Sequence, residues 1–128
     1  MRLLLDTQAF VWWVEQNGRL SDTAQRAIAD EATAVFISVA TAWEIAIKVG
    51  KGKWPEAAPL LQHFEDVVMT EGFELLPITV SDVRSAGLMQ VSHKDPFDRL
   101  IAAQAVRGGF HLATSDLQLR TLGALVVW

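Results

Sequence analysis

Two rhythms of apolar and polar residues alternate along the chain. Short, nearly unbroken apolar runs predict buried strands: "RLLL" (Arg2–Leu5), "VFIS" (Val35–Ser38), "FELLPI" (Phe73–Ile78), "FHLAT" (Phe110–Thr114) and "ALVVW" (Ala124–Trp128). Between them lie segments of helical character. "TQAFVWWVEQ" predicts a helix that stops near Asn17-Gly18, and "SDTAQRAIADEA" one that Ser21 caps. "VATAWEIAIKV" should end at Gly50, and "LLQHFEDVVMTEG" sets Leu60, Leu61, Phe64, Val67 and Val68 at helical spacing. "TVSDVRSAGLM" has Thr79 or Ser81 as its cap. "DPFDRLIAAQAVRGG" has Pro96 in its first turn and glycines at its end, and "DLQLRTLG" is a short helix before the last strand. Strands alternating with helices predict an α/β protein with a parallel sheet.

Residues 1–128 are enough for one domain with a real core and too few for two. There is no internal repeat or low-complexity linker. The absence of cysteine excludes a disulfide framework, thiolate metal sites and thiol catalysis. Asp6 interrupts the apolar opening after three leucines and no small-residue cleavage site follows, so a signal peptide is not expected. No uncharged run approaches the ~18 residues of a membrane span. The expectation is a soluble, cytoplasmic protein with no membrane partner. Its net charge of −4 is the wrong sign for holding nucleic acid by bulk electrostatics, so any phosphate must be met locally, by basic side chains or by bound cations.

Carboxylates mark the place where such cations would sit. Asp6 ends the first strand, and Asp116 follows "HLAT" with Thr114 and Ser115 beside it. Glu44 lies a turn and a half into the helix after "VFIS", and Asp98 is in the first turn of the late helix. Each has a local explanation: Asp6 and Asp116 as helix caps, Glu44 as the i,i+4 partner of Lys48, Asp95 and Asp98 as complements to a helix dipole. Those explanations do not account for acids gathered along one edge of a parallel sheet, where open α/β folds bind ligands. Crowded carboxylates take up protons unless a cation holds them ionised. Oxygen ligands without clustered His or Cys suit Mg²⁺, with Mn²⁺ the alternative, and such ions activate water and neutralise charge on a phosphate. The chemistry expected is phosphodiester hydrolysis.

In this order, "LLLDTQAFVWW", "ISVATAWEIAIKVGKGK", "LPI", "HKDPFDRLIAAQA" and "ATSD" resemble the PIN-domain ribonucleases, specifically the VapC-type toxins of toxin–antitoxin pairs. The resemblance implies a single PIN domain with a Rossmann-like parallel sheet and helices on both faces. It also implies a Mg²⁺-dependent endoribonuclease that acts on RNA, forms homodimers and is inhibited by a cognate VapB-like antitoxin. Carried over position by position, the catalytic and metal-binding acids correspond to Asp6, Glu44, Asp98 and Asp116, the last being the family's least uniform position. Thr114 is a polar neighbour able to orient a carboxylate or a water. Asp95, set apart from the helix body by Pro96, is a supporting or capping residue, and Ser38 either hydrogen-bonds an acid or caps its helix.

The remaining candidates are cationic and aromatic. RNA contact is expected from Lys48, Lys51 and Lys53, with Lys94 and Arg99 nearer the acids, although a solvated loop explains Lys51 and Lys53 as well. His93 could be a general acid or touch RNA, but a lone His before a helix is more often structural, and a metal mechanism does not require it. Trp12, Trp13 and Trp43 cannot all face one core unless the first helix is covered on two sides. Their surplus fits a groove for an antitoxin helix or a dimer surface. A phosphoacceptor receiver domain fails, because "VFIS" ends in Ser38 and "ATSD" lacks a lysine. A haloacid-dehalogenase-like phosphatase fails because Gln8 stands where its second Asp should be. A non-catalytic PIN-fold module binding RNA or protein is the remaining alternative, and the presence of all the acids weighs against it.

Overall fold

The computed structural model describes residues 1–128. Strands β1 (Arg2–Leu5), β2 (Ala34–Ser38), β3 (Glu74–Leu76), β4 (His111–Ala113) and β5 (Leu125–Val127) form one sheet in the order β3-β2-β1-β4-β5, every neighbouring pair parallel. The helices are α1 (Thr7–Glu15), α2 (Asp22–Ala29), α3 (Val39–Gly50), α4 (Ala58–Gln62), α5 (Phe64–Thr70), α6 (Val80–Gly87) and α7 (Pro96–Gly108). The expected α/β fold with a parallel sheet is therefore observed.

Strand alternation explains why both faces must be covered. In β1, Leu3 and Leu5 point into one core with Phe10, Val35, Ile37 and Phe64, while Leu4 points into the other with Ile101, Phe110 and Leu112. All three leucines are fully buried. Removing any one would cost about 2–5 kcal/mol. Capping follows the sequence closely. Ser21 caps α2, and Thr79 rather than Ser81 caps α6 in a reciprocal box with Asp82. α1 ends slightly earlier than expected, with Gln16 itself in the left-handed conformation (φ 55°).

Two segments differ from the simplest pattern. "LLQHFEDVVMTEG" is not one helix but α4 and α5, broken at His63 (φ −110°, ψ 26°). The break redirects the second piece so that Phe64 and Val68 enter the core, where Phe64 meets Phe10 edge-on at 5.5 Å. "LQLRTL" (Leu117–Leu122) forms a 3-10 helix, its ends closed by i→i+3 bonds from Leu119 to Asp116 and from Gly123 to Arg120.

The chain runs outward from β1 through β2 to β3, then returns to place β4 on the other side of β1. The strand order therefore reverses beside β1, and the crevice of the fold opens at the carboxyl ends of β1 and β4. Asp6 leaves β1 there and donates its backbone N–H to the Ala113 carbonyl at 3.0 Å.

Candidate metal and catalytic site

Asp6 is 8% exposed and Glu44 7%. Asp6 caps α1, accepting from the Ala9 N–H at 2.8 Å, and is also hydrogen-bonded by Thr114, itself fully buried. Glu44 is held at both oxygens. Thr7 Oγ1 donates to Oε1 at 2.6 Å, and Lys48 Nζ to Oε2 at 2.8 Å. Thr7 also contacts Thr41 Oγ1 at 3.2 Å, which fixes its rotamer between α1 and α3. The local explanations for these two acids, capping and an i,i+4 pair, are thus real, and they coexist with burial at the crevice.

Asp98 and Asp116 are more open, at 28% and 38% side-chain exposure. Asp95 caps α7, accepting from the N–H groups of Phe97 (2.9 Å) and Asp98 (3.1 Å), which orients the turn that carries Asp98. Asp116 caps the 3-10 helix through Oδ1, bonded to the Gln118 N–H at 3.0 Å, while its own N–H is fixed on Thr114 Oγ1 at 3.1 Å. Its other oxygen, Oδ2, faces His93 Nε2 at 3.1 Å, and Asp98 Oδ2 lies 3.5 Å from the same nitrogen.

The acids feel one another. Burial pushes Asp6 up to about 6; the bonds from Thr114 and Ala9 oppose that rise, and the charges of Glu44 and Asp116 add to it. Asp98 is pushed up to about 7, first by burial, then by the charges of Asp95, Asp6 and Glu44, with His93 pulling the other way. Carboxyls so displaced are sites where a bound cation would restore the charged form. The donor set, carboxylate oxygens with hydroxyls behind them, fits a hard divalent ion.

Other predicted residues lie near this centre with different partners. Ser38 caps α3 through Ala40 N–H and donates to Gln104 Oε1 at 2.5 Å. Gln104, 2% exposed on α7, was not singled out in the sequence; its amide also donates to the Pro77 carbonyl at 3.1 Å, tying α7 to the ends of β2 and β3. A lone Gln in an alanine-rich helix face was the available signal. The Arg99 guanidinium donates to the carbonyls of Gly87 (3.3 Å) and Met89 (3.0 Å). Both bonds use Nη2 and close the turn after α6, beside the phosphate contact expected of this side chain. Lys48 is engaged by Glu44 and sits 5.6 Å over the Trp54 ring. Trp12 packs on Trp128 and Trp13 on Phe73, both half-buried against the core that contains Phe10. Trp43 is 56% exposed, edge-on to Phe97 at 5.0 Å.

A family model described as "PIN domain" matches residues 3–125. Over 120 residues the chain is 31% identical to ribonuclease VapC22 of Mycobacterium tuberculosis, an alignment covering 93% of this chain and 90% of that protein. The chain belongs to the PIN-domain family, among its VapC-type members. Solved structures agree on the fold. The complex VapBC2 of Rickettsia felis, bound to a promoter DNA fragment, superposes with a TM-score of 0.69 at 17% identity, covering 98% of this chain and 97% of the other. VapBC-1 of nontypeable Haemophilus influenzae gives 0.65 at 17% identity, covering 98% and 96%.

Proposed function

We propose that the protein is a metal-dependent endoribonuclease toxin, folded as a single PIN domain, that hydrolyses RNA and is restrained by a cognate antitoxin. One observation carries this reading. Asp6, Glu44, Asp98 and Asp116 come from four separate segments and converge at the reversal of strand order, close enough for Asp6 to feel Glu44 and Asp116 and for Asp98 to feel Asp6 and Glu44. Kinship with a protein named as a ribonuclease supports the substrate class.

These four carboxylates would hold Mg²⁺ or Mn²⁺. When bound, such an ion supplies an activated water and neutralises charge on the scissile phosphate. The chain's own groups do the positioning. Thr7 and Lys48 fix both oxygens of Glu44, the Ala9 N–H and Thr114 fix Asp6, and Asp95 orients the turn of Asp98. Because no pair of histidines faces the crevice to activate a ribose 2′-hydroxyl, cleavage should leave 5′-phosphate and 3′-hydroxyl ends. The partner reading draws on relatives solved as VapBC complexes and on the apolar rim beside Asp98, where Trp43, Val83, Pro96 and Leu100 line a groove of about 230 Å³.

The test is to incubate antitoxin-free protein with total RNA, with and without Mg²⁺, and map the cleaved ends. Metal-dependent cleavage with 5′-phosphates is expected. Ends carrying 2′,3′-cyclic phosphate, formed in the presence of EDTA, would overturn the mechanism.

A further inference from the structure

The loop joining α6 to α7 is exposed at Val91, Ser92, Lys94 and Asp95, yet His93 turns inward and is only 13% exposed. Its Nε2 is directed at a carboxylate oxygen from each of two separate segments, Asp116 Oδ2 at 3.1 Å and Asp98 Oδ2 at 3.5 Å. Potential ligand atoms of these three residues all lie within 4.8 Å of one another. Neighbouring ligands on an octahedral ion with bonds of ~2.1 Å are ~3 Å apart, so the two separations from His93 Nε2 are near those of adjacent ligands. The loop is held in this pose from behind, by the Arg99 bond to the Met89 carbonyl, and Asp116 uses Oδ1 on the Gln118 N–H, which leaves Oδ2 to face His93.

Building on the metal-site reading above, we propose that His93 is a nitrogen ligand of that site, shared with Asp98 and Asp116, and that the site therefore takes Mn²⁺ in preference to Mg²⁺. Imidazole suits first-row transition ions, whereas Mg²⁺ favours oxygen and holds its waters. With its proton on Nδ1, the ring presents the Nε2 lone pair to the ion. His93 thereby sets the choice of metal, and the carboxylates supply most of the charge.

Pulsed electron paramagnetic resonance of Mn²⁺ bound to the full chain, prepared with ¹⁴N- or ¹⁵N-histidine, reads this directly. A histidine nitrogen coupling is expected in the wild type and should be absent in His93→Gln. By calorimetry, His93→Gln should weaken Mn²⁺ about tenfold and Mg²⁺ less than about twofold. Mn²⁺ bound without nitrogen coupling would overturn His93 ligation while leaving the carboxylate site intact. Equal weakening of both metals would also overturn it, because His93 would then act only by positioning the acids. If Asp98→Asn binds Mn²⁺ as tightly as wild type, the carboxylate reading itself fails, and the proposal with it. A coupling that persists in a His63→Gln/His111→Gln variant assigns it to His93 even if His93→Gln folds poorly.

Discussion

The two halves of the crevice solve the same electrostatic problem differently. Asp6 and Glu44 are buried and already hold internal donors: a backbone N–H and Thr114 for the first, Thr7 and Lys48 for the second. Asp98 and Asp116 are more exposed, and the oxygens they turn inward meet only His93. The first half is preorganised by the fold. The second half leaves charge to be satisfied by something that binds. Asp98 is pushed up to about 7 although it is less buried than Asp6, the charges of Asp95, Asp6 and Glu44 adding to the effect of burial.

The largest expected effect ignores this difference, because the proposed ion would draw on both halves. Asp6→Asn, Glu44→Gln and Asp98→Asn should each lower RNA cleavage by at least ~100-fold with circular dichroism unchanged. Wild-type activity in any of the three would remove that acid from the site.

Stability without metal should separate the halves by pH. A carboxyl whose folded value lies above its ordinary 3.8 binds its proton more tightly folded than unfolded. Its contribution is therefore fully present below about pH 4 and is lost as pH rises towards 6 for Asp6 and 7 for Asp98. In EDTA at pH 8, Asp98→Asn should raise Tm by about 3 °C or more, and at pH 4 it should change nothing. Asp6→Asn should behave likewise with its transition nearer pH 6. A gain that is the same at both pH values would show that charge is not its cause. Added Mn²⁺ or Mg²⁺ should raise the wild-type Tm more than that of either variant.

The preorganised half can be loosened on its own. Thr7→Val leaves buried Glu44 Oε1 without its donor and should destabilise by about 1–3 kcal/mol in denaturant unfolding, with metal affinity lowered as well. The smallest effect should come from Asp95→Asn, since Asn caps a helix as well as Asp. Its cleavage rate should stay within about threefold of wild type. If it instead matches the loss expected of Asp98→Asn while Asp98→Asn stays active, the acid serving the site is Asp95.

The sequence by itself determined most of the elements and caps, because these depend on neighbours a few residues apart; the break at His63 between α4 and α5 was not among them. The solid apolar runs became strands, Ser21 and Thr79 became caps, and the Asp6, Glu44, Asp98 and Asp116 positions followed from strand ends and helix starts. What it left open depends on groups far apart in the chain. Only the return of β4 beside β1 brings Asp116 towards Asp6, and only the packing of α7 sets Asp98 opposite His93. Arg99 read as a phosphate contact because it follows Asp98. Carbonyls ten and twelve residues away also hold its Nη2, a contact that no local pattern in the sequence encodes. His93 read as a general acid, an RNA contact or, more often, a structural residue, and its pairing with the acids was missed for the same reason: its carboxylate partners are 5 and 23 positions away, and no local pattern encodes which of them a loop will turn to face.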